Sequence, residues 1–197
     1  KFIRENYKQF DSIWTYDKEL IDTIPNAQFY PFGGCWIEYN QRKIHNKTKL
    51  FSIISSDKKR TKGHKLRHQI ISKANNKIDV FGRGYRPIDN KIEGLQDYRF
   101  HFVIENVKKD YWFTEKLIDS FITGTIPIYW GCPSIGDFFN TDGMIIFNDL
   151  LELKEKLKMC TEEFYNSKLD AIKDNFEVAK KYTLAEDWIY DNILSND

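Results

Sequence analysis

The sequence lacks the features of a disulfide-rich, zinc-binding or membrane-spanning protein. Its 197 residues include only three cysteines, Cys35, Cys132 and Cys160, which are far apart and form no C-x-x-C pair. Neither a disulfide framework nor a zinc ribbon is expected, and a reducing compartment is favoured. No apolar run approaches the roughly 18 residues that a membrane-spanning helix requires, and no signal-peptide pattern opens the chain. These absences predict a soluble, cytoplasmic protein without a transmembrane segment.

A strong net charge is also absent. Lys and Arg number 30 and Asp and Glu number 29, so the formal net charge is +1. Nucleic-acid binding would therefore have to depend on a local basic patch, and no nucleic-acid partner is expected. Hydrophobic residues make up 41% of the chain, which is enough to form a core and excludes intrinsic disorder.

Three common phosphate- or metal-binding motifs are missing. No G-x-G-x-x-G follows the first predicted strand of the α/β unit, and no G-x-x-x-x-G-K-[ST] occurs, which disfavours a dinucleotide fold and a P-loop. No D-x-D pair is present to hold a metal-bound sugar nucleotide. His64 and His68 have metal-binding spacing, but they lack an evident third ligand and lie beside Lys65 and Arg67. No metal site is expected.

From residue 49 onward, short β-rich runs alternate with helical stretches. This alternation predicts an α/β fold with a parallel sheet and crossover helices. The predicted strands are residues 50–55, 78–81, 100–105, 126–130 and 144–147. Helices are predicted at residues 64–74, 114–123 and 134–139, and residues 150–194 are helical by periodicity.

Residues 1–48 differ from the remainder of the chain. They predict a helical start, a strand at residues 12–16, a short helix at residues 17–23 and a polar stretch to Lys47. This segment is too short to form a core of its own. We interpret it as the last strand-helix-strand of a preceding domain with its linker, followed by a Rossmann-like unit at residues 49–197.

A basic loop follows the first strand of this unit. Six cations fall within residues 58–68, namely Lys58, Lys59, Arg60, Lys62, Lys65 and Arg67. Ligands of open α/β sheets lie at the carboxyl ends of the strands, next to helix N-termini that favour anions. The loop could therefore bind a diphosphate, or it could simply be solvated. Arg67 lies within the helical pattern, where a guanidinium can be held in a fixed bidentate geometry.

The densest pattern of functional residue types spans residues 100–131. A strand ends in Glu105 and Asn106, an aromatic loop carries Trp112, and Thr114 caps a helix that begins with Glu115 and Lys116. Such a set could stack a ring, bind sugar hydroxyls and neutralise phosphate. From the residue types alone, a capped helix with an adjacent charged pair explains the pattern about equally well.

This region resembles the motif of the family-10 glycosyltransferases, the α1,3/1,4-fucosyltransferases. The matching residues are Ile104-Glu105-Asn106, then Trp112-Phe113-Thr114-Glu115-Lys116, then Gly124-Thr125-Ile126-Pro127-Ile128 with Gly131. Upstream, Phe29-Tyr30-Pro31-Phe32-Gly33-Gly34 is similar to the segment joining the family's acceptor and donor domains. The resemblance covers most of residues 11–150.

The resemblance implies a GT-B fold in which GDP-fucose is bound mainly by the C-terminal domain. By motif match, Arg67 and Lys116 would neutralise the diphosphate, Glu115 would bind the fucose and Asn106 would line the pocket. Trp112 would occupy the position where the family usually has Tyr. Its ring could still stack on a ligand, but the hydrogen bond from a Tyr hydroxyl would be absent. Transfer to a glycan acceptor would proceed with inversion and without a metal or other cofactor.

The family's general base lies in the N-terminal acceptor domain, which is nearly all missing here. The catalytic residue therefore remains unknown, and Glu105 is not assigned to that role because its position belongs to the family's donor pocket. Two alternatives stay open: a glycosyltransferase with another nucleotide-sugar donor, and a non-catalytic fragment that binds a nucleotide sugar. An RNA-binding protein that uses the basic loop is a weaker third possibility.

Overall fold

A five-stranded parallel sheet forms the centre of residues 49–194. The computed structural model describes residues 1–31 and 33–194, so Phe32 of the predicted joining segment lies outside the described residues. The strands are β3 (Lys49–Ile54), β4 (Asp79–Phe81), β5 (Tyr98–Ile104), β6 (Ile126–Trp130) and β7 (Ile145–Ile146). Their spatial order is β4-β3-β5-β6-β7, and every neighbouring pair is parallel. This confirms the predicted α/β class.

Two helices cross over between neighbouring strands. Helix α3 (Lys62–Lys73) joins β3 to β4, and α4 (Glu115–Phe121) joins β5 to β6. The central strand β5 is buried at all seven positions, as expected for a parallel strand covered on both faces. Separate apolar clusters lie on the two faces, one around α4 and one between α3 and the C-terminal helices.

Residues 1–31 form a smaller two-stranded parallel sheet. Its elements are α1 (Phe2–Asn6), β1 (Ile13–Thr15), α2 (Lys18–Thr23) and β2 (Ala27–Phe29). The segment contacts the loop before α4: the Phe29 ring lies 5.4 Å from the Tyr111 ring, and Lys109 Nζ donates to Asp17 at 2.8 Å. The strand-helix-strand pattern predicted from the sequence is present.

The C-terminal third is helical but interrupted. It contains α5 (Leu150–Lys156), α6 (Glu162–Ser167), α7 (Leu169–Lys180), α8 (Ala185–Ile189) and a final turn, Tyr190–Leu194. The side chain of Asp149 caps α5 at the predicted start of the helical region, and that of Thr161 caps α6 inside this region, where it begins a new helix. The helix predicted at residues 134–139 is only a 3₁₀ turn, Ile135–Asp137. Among the described helices, none is both long and apolar enough to cross a bilayer.

Candidate nucleotide-sugar site

Arg67 fixes one side of the site to the end of the central strand. Its guanidinium donates from Nε and Nη2 to the Ile104 carbonyl at 3.2 and 2.6 Å, and from Nη2 to Asn106 Oδ1 at 3.0 Å. The side chain is buried in the middle of α3. Arg67 is therefore held in a defined orientation, as the helical pattern predicted, and Asn106 is one of the groups that hold it.

Gly63 lets helix α3 approach the carboxyl end of β5. Its N–H donates to the Asn106 carbonyl at 3.1 Å, and a Cβ at this position would lie 1.7 Å from the Glu105 carbonyl oxygen. Any side chain here would overlap the backbone of β5. The glycine thus sets the spacing that allows Arg67, one turn later, to reach Ile104 and Asn106.

Glu105 anchors the N-terminus of α4 on the other side of the site. Its side chain is 0% exposed and accepts hydrogen bonds from the Thr114 N–H at 2.9 Å and from Thr114 Oγ1 at 2.9 and 3.0 Å. Thr114 in turn caps the helix by accepting from the Lys116 N–H. A buried carboxylate at the end of β5 therefore positions the first turn of α4, which carries Glu115 and Lys116.

Lys116 joins the acidic groups at this helix start. Its ammonium lies 3.2 Å from Glu115 Oε1 and 3.7 Å from Glu105 Oε2. Burial raises the pKa of Glu105, and the charge of Lys116 and the Thr114 hydrogen bonds act against that rise. Burial also opposes ionisation of Glu115, but Lys116 and Lys91 outweigh it and lower the pKa of Glu115. Glu115 is therefore ionised at neutral pH.

Lys91 and Asp119 complete the charge cluster, and neither was predicted from the sequence. Lys91 Nζ lies 2.9 Å from Asp119 Oδ2 and 3.4 Å from Glu115 Oε1. Asp119 follows Glu115 by four residues, so helical spacing could have placed it on the same face of α4. Lys91 lies on a 3₁₀ turn remote in sequence, and no local signal marks it.

A cavity of about 110 Å³ opens between these groups at the carboxyl edge of the sheet. Its walls include the predicted residues Arg67, Glu115 and Lys116, together with Lys91, His101 and Asp119. The volume is below the roughly 300–1,000 Å³ of a typical small-molecule site. The cavity can therefore hold a phosphate group or part of a sugar, and the remainder of a nucleotide sugar would have to extend along the open edge.

The other two predicted site residues, Asn106 and Trp112, do not line this cavity. Asn106 borders it through its bond to Arg67. Trp112 packs its ring against Tyr16, with ring centroids 4.4 Å apart and the planes at 65°. The stacking of Trp112 on a ligand thus stays a prediction. The structure shows instead that Trp112 contacts Tyr16 in the N-terminal segment.

The basic loop divides into two parts. Lys58, Lys59, Arg60, Lys62 and Lys65 are exposed, and only Arg67 of the six cations reaches the cavity. His64 bonds to Thr61 in the N-terminal cap of α3, and His68 is bonded by Tyr85 and the Lys58 carbonyl. Within residues 1–31 and 33–194, no three His, Cys, Asp or Glu side chains are grouped as metal ligands.

A curated relative matches part of the chain. It is the alpha-(1,3)-fucosyltransferase FucT of Helicobacter pylori, which is 38% identical over 74 residues. That alignment covers 38% of this chain and 15% of the relative. The match thus spans less than a sixth of the relative's length.

Solved structures show the same fold. A crystal structure of an alpha1,3-fucosyltransferase with GDP-fucose is 24% identical, with a TM-score of 0.52, and covers 75% of this chain and 48% of that one. A structure of a T4 phage BGT variant in complex with UDP-glucose is 12% identical, with a TM-score of 0.56, and the match covers 88% of this chain and 58% of that one. These likenesses confirm the Rossmann-like fold of GT-B type. The chain spans about half the length of these neighbours.

The family model for the C-terminal part of glycosyltransferase family 10 (fucosyltransferase) matches residues 44–188. This range contains the whole five-stranded sheet, both crossover helices and every predicted site residue. It covers most of the chain. The chain therefore belongs to glycosyltransferase family 10, the fucosyltransferase family.

Proposed function

We propose that this chain binds GDP-fucose at the carboxyl edge of its sheet and forms the donor half of a fucosyltransferase. The observation that carries the proposal is the start of α4, where buried Glu105 holds Thr114 so that Glu115 and Lys116 face Arg67 across the cavity. The family and the GDP-fucose complex of a structural neighbour support this choice of donor.

The two cations and the acid have separate roles in this proposal. Lys116 and Arg67 neutralise the diphosphate, and their positive charge stabilises GDP as it departs with a developing negative charge. Glu115, ionised and paired with Lys91, accepts hydrogen bonds from the hydroxyls of the fucose. The donor half needs no metal or other cofactor, because these two side chains supply the cationic charge.

The reaction we propose inverts the anomeric centre. A hydroxyl oxygen of a glycan acceptor attacks the anomeric carbon, the bond from that carbon to the phosphate oxygen breaks, and its electrons leave with GDP. The acceptor proton passes to a base. Glu105 is unsuited to this task because it is fully buried and committed to Thr114. Of the two carboxylates that line the cavity, Glu115 binds the fucose in this proposal, and Asp119 is buried and bonded to Lys91 and the Trp36 N–H. We therefore assign the base to an acceptor domain.

A thermal-shift titration tests the donor. GDP, GDP-fucose, GDP-mannose, UDP-glucose and UDP-galactose are each added in the presence of EDTA. A ligand at a hundred times its dissociation constant stabilises the folded state by about 2.7 kcal/mol. At about 2–4 °C per kcal/mol for a chain of this size, we expect a rise of roughly 5–10 °C with GDP and GDP-fucose.

The other nucleotides serve as controls in that titration. A larger shift with UDP-glucose than with GDP-fucose would replace the donor we propose by another nucleotide sugar. A GDP shift that appears only when EDTA is replaced by a divalent metal ion would show that the donor half depends on a metal. Stabilisation by GDP-fucose with no transfer, even after an acceptor domain is supplied, would favour a non-catalytic binding protein.

A further inference from the structure

Trp36 is exposed and yet firmly held. Its side chain is 70% exposed, the largest exposure of any tryptophan in the described chain. Its backbone N–H nevertheless donates to Asp119 Oδ1 at 2.7 Å, and Asp119 is almost completely buried in α4. A buried carboxylate thus fixes the backbone under a large apolar ring that faces solvent.

The ring borders the cavity through a shared ammonium group. Lys91 Nζ lies 4.4 Å from the centre of the Trp36 ring and 3.4 Å from Glu115 Oε1. The same ammonium bonds Asp119 at 2.9 Å. The Trp36 indole and the Glu115 carboxylate, which is proposed to bind the transferred sugar, therefore contact the same ammonium group. Lys91 covers part of the indole, and the remainder is open to solvent.

This arrangement has the chemistry of a sugar platform. The C–H face of a hexopyranose is apolar and packs on an aromatic ring, while its hydroxyls need charged or polar partners close by. Lys91 supplies such a partner beside the indole, and Glu115 lies 3.4 Å from its ammonium. An exposed tryptophan with no ligand would leave the large apolar area of its indole in water, whereas a bound sugar ring would cover it.

We propose that Trp36 stacks on the acceptor sugar. This inference depends on the proposed function, because it assumes that the cavity holds the donor. An acceptor hydroxyl must come within about 3–3.5 Å of the anomeric carbon before attack, so the acceptor ring has to lie next to the transferred sugar. Trp36 does not line the cavity, but the Lys91 ammonium contacts both its ring and Glu115. A sugar ring stacked on Trp36 would therefore lie near the transferred sugar.

Tyr39 provides a matched control. It is also exposed, at 84%, and belongs to the same segment three residues later. Its ring lies beside Arg42, at 5.7 Å, and Arg42 does not line the cavity. If any exposed aromatic ring of this segment bound sugars, Tyr39 would contribute as much as Trp36.

The test uses the indole N–H signals of the chain's five tryptophans in an NMR titration, with GDP present. The probes are lactose and chitobiose, and sorbitol serves as a polyol without a sugar ring. Trp36→Phe identifies the Trp36 signal. We expect lactose or chitobiose to shift that signal and sorbitol to leave it unchanged. Trp36→Ala should weaken binding of the disaccharide about fivefold to tenfold, and Trp36→Phe should retain most of it.

Donor binding by wild type and each variant is measured separately, from the rise in melting temperature that GDP causes. Loss of disaccharide binding in Trp36→Ala with unchanged GDP binding supports the acceptor subsite. The proposal is overturned if neither disaccharide moves the Trp36 signal, if Tyr39→Ala weakens binding as much as Trp36→Ala, or if Trp36→Ala weakens GDP binding instead. If the wild-type chain does not bind GDP, the donor assignment fails, and the disaccharide response still reports on Trp36 separately.

Discussion

Lys116→Ala is expected to weaken GDP binding by about 10- to 100-fold. Lys116 supplies an ammonium group at the capped start of α4, and its side chain lines the cavity. A charge-assisted hydrogen bond contributes about 1.5–3 kcal/mol, which corresponds to that range of affinity. Isothermal titration calorimetry with GDP, at fixed ionic strength, measures the effect.

The control for this variant is Lys73→Ala, at the far end of α3. Lys73 is an exposed lysine that does not line the cavity, so its removal should leave GDP affinity within about twofold. Because Lys116 also lies 3.7 Å from buried Glu105, the melting temperature without ligand should be measured for both variants. Equal GDP affinities for Lys116→Ala and wild type would show that the diphosphate is bound elsewhere.

Gly63→Ala is expected to destabilise the fold, although the same change in most helices would stabilise it. Alanine is favoured over glycine in a helix by roughly 0.5–1 kcal/mol. Here the new Cβ would lie 1.7 Å from the Glu105 carbonyl oxygen and 2.9 Å from Asn106 Cα, so α3 must move away from β5. Overpacking of this kind costs about 1–3 kcal/mol, occasionally more. Chemical denaturation measures the loss.

The displacement should also reach the site. Moving α3 shifts Arg67 relative to Ile104 and Asn106, so GDP affinity should fall together with stability. Gly136→Ala is the matched control, because its Cβ would meet only Thr141 Cγ2 at an ordinary 3.5 Å, and its effect should stay within about 0.5 kcal/mol. A Gly63→Ala variant as stable as wild type would mean that α3 and β5 are not in the contact described here.

Local patterns predicted the elements that position the site. Strand 50–55 is observed as Lys49–Ile54 and strand 126–130 is observed unchanged, because uninterrupted β-rich runs are bounded by clear turns. Thr114 caps α4 as predicted, and Gly124, which follows that helix, has a φ of +71°. Capping and left-handed turns depend on a few neighbouring residues, so the sequence reveals them.

Long-range contacts could not be predicted in this way. Lys91 reaches Glu115 and Asp119 from a separate turn, and nothing in its neighbourhood indicates this. The contact of Trp112 with Tyr16 joins residues far apart in the chain. The close approach of Gly63 to Glu105 likewise depends on how α3 packs on the sheet. Each of these contacts requires the strand order, which local patterns do not define.

The role of Glu105 shows the same division between local pattern and packing. The sequence placed a carboxylate at the end of a strand and left its task open. Only the packed structure shows that it is fully buried and bonded to the cap residue Thr114. Glu105 positions Lys116 and Glu115 by holding Thr114. The presence of an acidic residue at the end of a strand does not by itself indicate this role.

A crystal structure of the chain with GDP-fucose tests the central claim most directly. We predict that the diphosphate oxygens lie within hydrogen-bond distance of Lys116 Nζ and the Arg67 guanidinium, with the fucose ring against Glu115. Nucleotide density at any other surface of the chain would contradict this donor site. So would a diphosphate bound at the carboxyl edge without contact to either cation.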